Sequence, residues 1–270
     1  MLARVLMDNL ARDGLIGEWG LSLLIEAAQR RILLDAGATG RFAENARAMG
    51  VNLADVDLCV LSHGHYDHAD GFDAFFAENA RARVYLQRAA AGRYYGKKWC
   101  FWRYIGVDQH LLREWADRFE FVDGARELLP GAHLIPHSTP GLEKIAARSG
   151  LYMRWGRRRE PDAFAHEQSL VLEDAGELVI FNSCSHAGPD NIIREVRAAL
   201  PGRAVRAYVG GLHLFQRSDE EVRELAERMR ETGVKRFITG HCTGERACAV
   251  LREVLGDGVV QMHSGMELEL

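Results

Sequence analysis

Within VLSHGHYDHADG, residues 60–71, four side chains able to hold a metal fall in six positions: His63, His65, Asp67 and His68. Leu58–Leu61 ends an apolar run, so the cluster begins where a buried strand runs out. In extended chain, side chains alternate between faces, so His63 and His65 project to one side and can grip one ion. Asp67 and His68 come after the chain turns and can reach a second ion beside the first. Imidazole with carboxylate suits zinc, and also iron or manganese. Two such ions about 3.5–4 Å apart could share a bridging hydroxide and polarise a phosphoryl or carbonyl oxygen. A solvated histidine-rich loop would not concentrate three His and one Asp directly behind a buried strand.

Further ligands have to come from elsewhere in the chain. Three apolar runs end in small residues that let the backbone approach closely. They are VIFNSCSHAG with Cys184 and His186, YVGGLHL with His213, and FITGHCTG with His241 and Cys242. Asp35, at the end of RILLD, can accept a hydrogen bond from a ligand imidazole or can simply shape a turn.

These residues need strands to carry them. Residues 2–7, 21–27, 31–35 and 57–61 read as strands in the first half, with helices over 39–49 and 72–79 and a strand at 84–86. In the second half, 170–172 and 178–181 pair across Ala175-Gly176, and a helix starts at Pro189, a residue favoured at a first helical position. Residues 205–209 and 236–239 are strands. Ser218-Asp-Glu-Glu221 is a capping-box pattern ahead of the stripe Val222, Leu225, Ala226, Met229. A helix over 244–254 and two short strands close the chain. Strand-rich halves covered by helices predict two mixed sheets packed together with helices outside, an α/β sandwich in one domain over 1–270. Residues 88–118 stand apart. RYYGKKWCFWRYIG holds six aromatic and four basic residues in 14 positions with no clean period, and reads as a cap or insertion.

Composition narrows the functions. The chain has 270 residues, 47% apolar and 27% charged, which is ordinary for a globular protein. A net charge of −4 gives no global field toward nucleic acid or membrane, and no apolar run is long enough to span a bilayer. Met1–Asn9 carries Arg4 and Asp8 and does not read as a secretion signal. Five cysteines, an odd number, do not make a disulfide framework, so a cytoplasmic setting is expected.

GEWGLSLLIE, LSHGHYDHADG, EQSLVL, SCSHAG, GGLHL and GHCTG together resemble the metallo-β-lactamase superfamily along nearly the whole chain. Within it they resemble the subgroup similar to 7,8-dihydropterin-6-methyl-4-(β-D-ribofuranosyl)-aminobenzene-5′-phosphate synthase. The resemblance implies an αβ/βα four-layer sandwich with its site at one edge between the sheets. It implies His63 and His65 as first-metal ligands, and Asp67, His68 and His241 on a second metal. His186 is the first choice for the third ligand of the first metal, with His166 as the alternative. Cys184 falls where other members carry a bridging Asp, and Trp19 where the subgroup carries His. The implied activity is a metal-dependent hydrolase, loaded with one or two zinc ions or with iron or manganese. A metal-bound hydroxide would attack a phosphorylated or pterin-like small molecule, Asp67 would orient it, and His213 would bind substrate or donate a proton. Tyr94, Tyr95, Trp99, Phe101, Trp102 and Tyr104 could stack on a flat ring while Arg93, Lys97, Lys98 and Arg103 meet a phosphate. The same surface would serve a homodimer equally well. An iron-dependent redox enzyme on oxygen or persulfide, and a non-catalytic sensor with a partial site, are the competing functions.

Overall fold

A computed structural model describes all 270 residues. Seven strands form the first sheet, in the order Glu267–Glu269, Leu2–Met7, Ser22–Ala27, Arg30–Leu34, Leu58–Val60, Val84–Gln87, Phe119–Val122. Seven more form the second, in the order Val259–Gln261, Arg236–Thr239, Val205–Val209, Glu177–Phe181, Gln168–Asp174, Ala132–Pro136, Arg126–Leu129. Each sheet is mixed, with a parallel run joined to an antiparallel run.

Alternation along each strand divides its side chains between two cores. Ile32 and Leu34 point inward, joining Val5, Leu23, Val60, Leu170, Phe181 and Val209 between the sheets. Leu33, one residue away, points outward to Phe42 and Ala46 of the helix Arg41–Ala48 and to Phe72, Phe75 and Phe76 of the helix Phe72–Glu78. The second sheet is covered by Pro189–Ala199, Asp219–Glu231 and Glu245–Leu255, whose Ile193, Val222, Leu225, Met229 and Leu251 share one core. The layers are therefore helix, sheet, sheet, helix, as the sequence predicts. Each fully buried Phe or Leu contributes about 1.5–3 kcal/mol to holding them. The capping box at Ser218 and Glu221 is formed, and Pro189 opens its helix.

The boundary drawn at 88–118 does not match the third sheet. That sheet has four strands, in the order Arg158–Pro161, Leu151–Trp155, Arg93–Lys98, Phe101–Tyr104. Two hairpins far apart in the chain pair through Met153 and Tyr94. Residues 107–118 belong to the body instead: Val107 and Leu111 lie in the outer core of the first sheet. The second hairpin carried no sequence signal, because its residues are half-buried or exposed on both faces.

Candidate metal centre beneath the third sheet

Every residue of the sequence-predicted set lies at the same edge of the sandwich. His63 to His68 follow the strand Leu58–Val60. Cys184 and His186 follow Glu177–Phe181, His213 follows Val205–Val209, and His241 follows Arg236–Thr239. The chain is not extended from His63 to His65 as the sequence suggests: it bends at His63 and Gly64, bridges Gly106 at His65, and then makes one helical turn, Tyr66–Ala69, which carries Asp67 and His68. Gly64 makes the close approach feasible: a Cβ there would sit 2.4 Å from the carbonyl oxygen of Ala90. Asp35, Ser185, His213 and His241 all adopt left-handed backbone, with φ of 58°, 53°, 51° and 48°. Such conformations cost roughly 1–3 kcal/mol each in non-glycine residues and persist where surroundings enforce them.

Two groups of side chains converge. The ligating atoms of His63, His65 and His186 lie within 4.8 Å of one another, as do those of His63, His68 and Cys184. Asp67 Oδ2 is 3.5 Å from His241 Nε2 and 3.8 Å from His68 Nε2. Nε2 of His63, His65, His186 and His241 and Nδ1 of His213 are buried with no hydrogen-bond partner. Buried polar atoms are otherwise almost always paired, so five orphans aimed at one small volume fit a cation.

The outer partners settle which nitrogen each ring presents. Ser62 donates its hydroxyl to Asp35 at 2.7 Å, so His63 Nδ1–H donates to Ser62 Oγ at 2.8 Å. His68 Nδ1 donates to Asp35 at 2.8 Å, His186 Nδ1 to Glu167, and His241 Nδ1 to the Asn9 side-chain oxygen at 3.0 Å. Each of these four rings turns its Nε2 inward, the arrangement a metal-ligating imidazole requires once that nitrogen is free of its proton. His166 does not. Its Nδ1 accepts from the Gly64 N–H at 2.9 Å, and its Nε2 donates to Asp162 at 2.9 Å. Both nitrogens are committed, which leaves the His63–His65 group to His186.

The electrostatics agree. Burial, with His68 and its neighbours adding repulsion, holds His63 well below the ordinary imidazole range. Burial and His166 do the same for His65, and burial and His68 for His241. Neutral imidazole is the ligating form. Burial also works against charge on His68, yet Asp67 and Asp35 outweigh it and push that ring up to about 9. The proton these carboxylates hold is what a metal ion would displace. Burial likewise opposes charge on Glu167, but His186 overrides it and holds the carboxyl down at about 2.

Glu167, Ser62 and Asn9 orient rings of the cluster and are not singled out in sequence: Ser62 and Glu167 lie inside the LSHGHYDHADG and EQSLVL motifs, but nothing there marks them as partners of imidazoles. Cys242, a strand-end candidate beside His241, lies with its sulfur 3.4 Å from that of Cys184. His133 and His137 pair with Glu173 and Glu195 and lie apart from the cluster.

A cavity of about 380 Å³ opens from His213 along the third sheet, past Lys97, Trp102, Arg103, Gly150 and Phe215. The cations here face rings: Lys97 over Trp102 at 5.4 Å, Arg103 over Tyr66 at 5.1 Å, Arg159 over Trp102 at 4.6 Å. A second cavity of about 280 Å³ reaches His186 and His213 from the helix side. Its arginines are already paired, Arg228 with Asp190 at 3.1 Å and Arg148 with Glu221. Trp19 packs on both His241 and Phe215, each at 5.1 Å between ring centres. No helix is long and apolar enough to cross a membrane.

Comparison with known proteins matches residues 20–151 to the metallo-β-lactamase superfamily model. The 7,8-dihydropterin-6-methyl-4-(β-D-ribofuranosyl)-aminobenzene-5′-phosphate synthase of Methanocaldococcus jannaschii is 26% identical over 262 residues, spanning 91% of this chain and 88% of that protein. The crystal structure of Tm1679, a metal-dependent hydrolase of the β-lactamase superfamily, superposes with a TM-score of 0.85 at 29% identity, covering 100% of this chain and 99% of that one. The metallo-β-lactamase fold protein YhfI from Bacillus subtilis superposes with a TM-score of 0.61 at 11% identity over 99% and 98% of the two chains, a likeness of fold.

Proposed function

We propose that this chain, which belongs to the metallo-β-lactamase superfamily, is a metal-dependent hydrolase acting on a small molecule that joins a flat heteroaromatic ring to a phosphate. The observation that carries this reading is adjacency. His213 Nδ1 is one of five buried imidazole nitrogens without a partner, and His213 also lines the cavity bounded by Trp102, Phe215, Lys97 and Arg103. His63, His65 and His186 would hold one ion, and His68, Asp67 and His241 a second, with Cys184 between them. When bound, such ions supply Lewis-acid polarisation of the substrate and an activated water.

The protein's own groups do the rest. The Asp67 carboxylate, at the lip of the cluster, is placed to accept a hydrogen bond from the attacking water and to hold its orientation. Burial holds His213 below the ordinary imidazole range, with His186 adding to it and Cys242 opposing. A neutral ring at neutral pH suits His213 to hydrogen-bond a substrate oxygen rather than to store a proton. The aromatic wall would stack the ring, and the basic residues would meet the phosphate. Support for a pterin-like ligand comes from the M. jannaschii synthase, whose name describes a compound with both a pterin ring and a phosphate.

The test is turnover of phosphorylated pterin and aminobenzene compounds by protein stripped with a chelator and reloaded with zinc, manganese or iron. Activity should follow the metal and vanish in His65→Ala. Undiminished turnover by that variant would overturn the mechanism.

A further inference from the structure

We infer that Cys242 joins Cys184 as a sulfur ligand, so that the half of the site holding His241 is a thiolate-rich subsite. This rests on the reading that the cluster holds metal. It goes beyond that reading in naming the donors and the class of ion they select.

The two sulfurs are 3.4 Å apart, and neither cysteine is part of a disulfide. Cys184 is 4% exposed and Cys242 1%. Both sulfurs lie within 4.8 Å of a ligating nitrogen of His241, and the Nε2 of that ring is buried without a partner. Cys184 Sγ is also 3.4 Å from His68 Nε2. Two sulfurs each bound to zinc at about 2.3 Å in a tetrahedron are about 3.7 Å apart, so small movements would bring these atoms onto one ion.

Two surrounding features favour a ligand over a packed thiol. The His213 backbone N–H donates to Cys242 Sγ at 3.2 Å, the kind of outer hydrogen bond that stabilises a metal thiolate. Gly211 gives that sulfur its room: a Cβ there would lie 2.6 Å from Cys242 Sγ and 2.6 Å from the Ser183 carbonyl oxygen. A buried cysteine that only filled space would need neither the donor nor the clearance. Soft sulfur donors favour zinc or iron over manganese or magnesium, which prefer oxygen. The His63, His65, His186 group, whose own three donors are nitrogen, holds this preference more weakly. The two halves of the site should therefore differ in the metals they keep.

X-ray absorption at the zinc edge of the intact, zinc-loaded protein tests this without any assay of turnover. The wild type should show a sulfur shell at about 2.3 Å. Cys242→Ser should lose about half of it, and the Cys184→Ser/Cys242→Ser pair all of it. Substitution with cobalt(II) gives an independent reading, since thiolate-to-cobalt charge transfer should appear in the wild type and fade in step. Zinc bound by nitrogen and oxygen alone in the wild type would overturn the inference and leave the proposed hydrolase standing. So would a sulfur shell unchanged in Cys242→Ser. Failure of the wild type to bind any metal would overturn both. If a variant does not fold, the wild-type sulfur count decides: a shell fitting two sulfurs on one ion supports the inference, and a single sulfur, which Cys184 alone supplies, overturns it.

Discussion

The floor of the site and the third sheet above it are built by opposite rules. The floor is dry and over-determined: its rings are fixed by Asp35, Glu167 and Asn9, and four of its backbone positions are held left-handed. The third sheet is wet and loosely specified. Trp99 and Phe101 are 86% and 75% exposed at one hairpin tip, and Trp155 is 78% exposed at the other. On the proposed reading, a floor that binds ions and places a water needs fixed donors, whereas a wall that receives a substrate needs only faces and charges within reach. Changes to the floor should therefore act on metal and kcat, and changes to the sheet on KM.

The harshest way to break this contrast is His65→Ala. Metal content by elemental analysis should fall by at least one ion per chain, and turnover should drop to background. A variant that kept full metal would deny His65 its place on the floor. Next comes Glu167→Gln, which leaves His186 present but poorly oriented. Metal affinity should weaken about 10- to 100-fold, the usual effect of an outer partner, and competition with a chelating dye measures it. An unchanged affinity would remove Glu167 from the floor.

The same residue gives a pH signature. Its carboxyl is held at about 2 in the fold against an ordinary 4.5, chiefly by His186 acting against burial. A depressed carboxylate contributes stability above its unfolded value, and that stability is lost as pH falls through 4.5 toward 2. Thermal melts of metal-free wild type and Glu167→Gln should differ most near neutrality and converge as the solution is acidified through this window. A difference that widened in acid would reverse the sign. The smallest effect belongs to the third sheet. Trp102→Ala should raise KM about 2- to 10-fold with kcat nearly unchanged, the scale of one lost aromatic contact. A collapse of kcat instead would show that the sheet shares in the chemistry.

The same division explains what could be read from sequence. His63, His65, Asp67 and His68 are legible as a group because one strand end delivers all of them, and their types together suit a metal. Cys184, His186, His213 and His241 are legible as a class, since each ends an apolar run in small residues. Which of them share an ion is not, because that depends on how four separated loops meet. His166 shows the difficulty: its type and position fit a ligand, and only the bonds to Gly64 and Asp162 show both nitrogens occupied. The sandwich is legible from Ile32–Leu33–Leu34 and similar runs, where alternation serves two cores. The third sheet is not, because neither of its hairpins buries a whole face, so its aromatic residues keep no period.

One pairing carries a consequence for how the molecule forms. Leu2 lies opposite Glu269, with Leu2–Met7 between Ser22–Ala27 and the last strand. The first sheet is closed by residues from both ends of the chain, and Asp8, just past Leu2–Met7, accepts the backbone N–H of His241. Such distant contacts slow folding, since a long loop must close before they form. During synthesis the first half would wait for the last strand before its edge is covered. The ligand cluster, drawn from both halves, would be among the last features to mature.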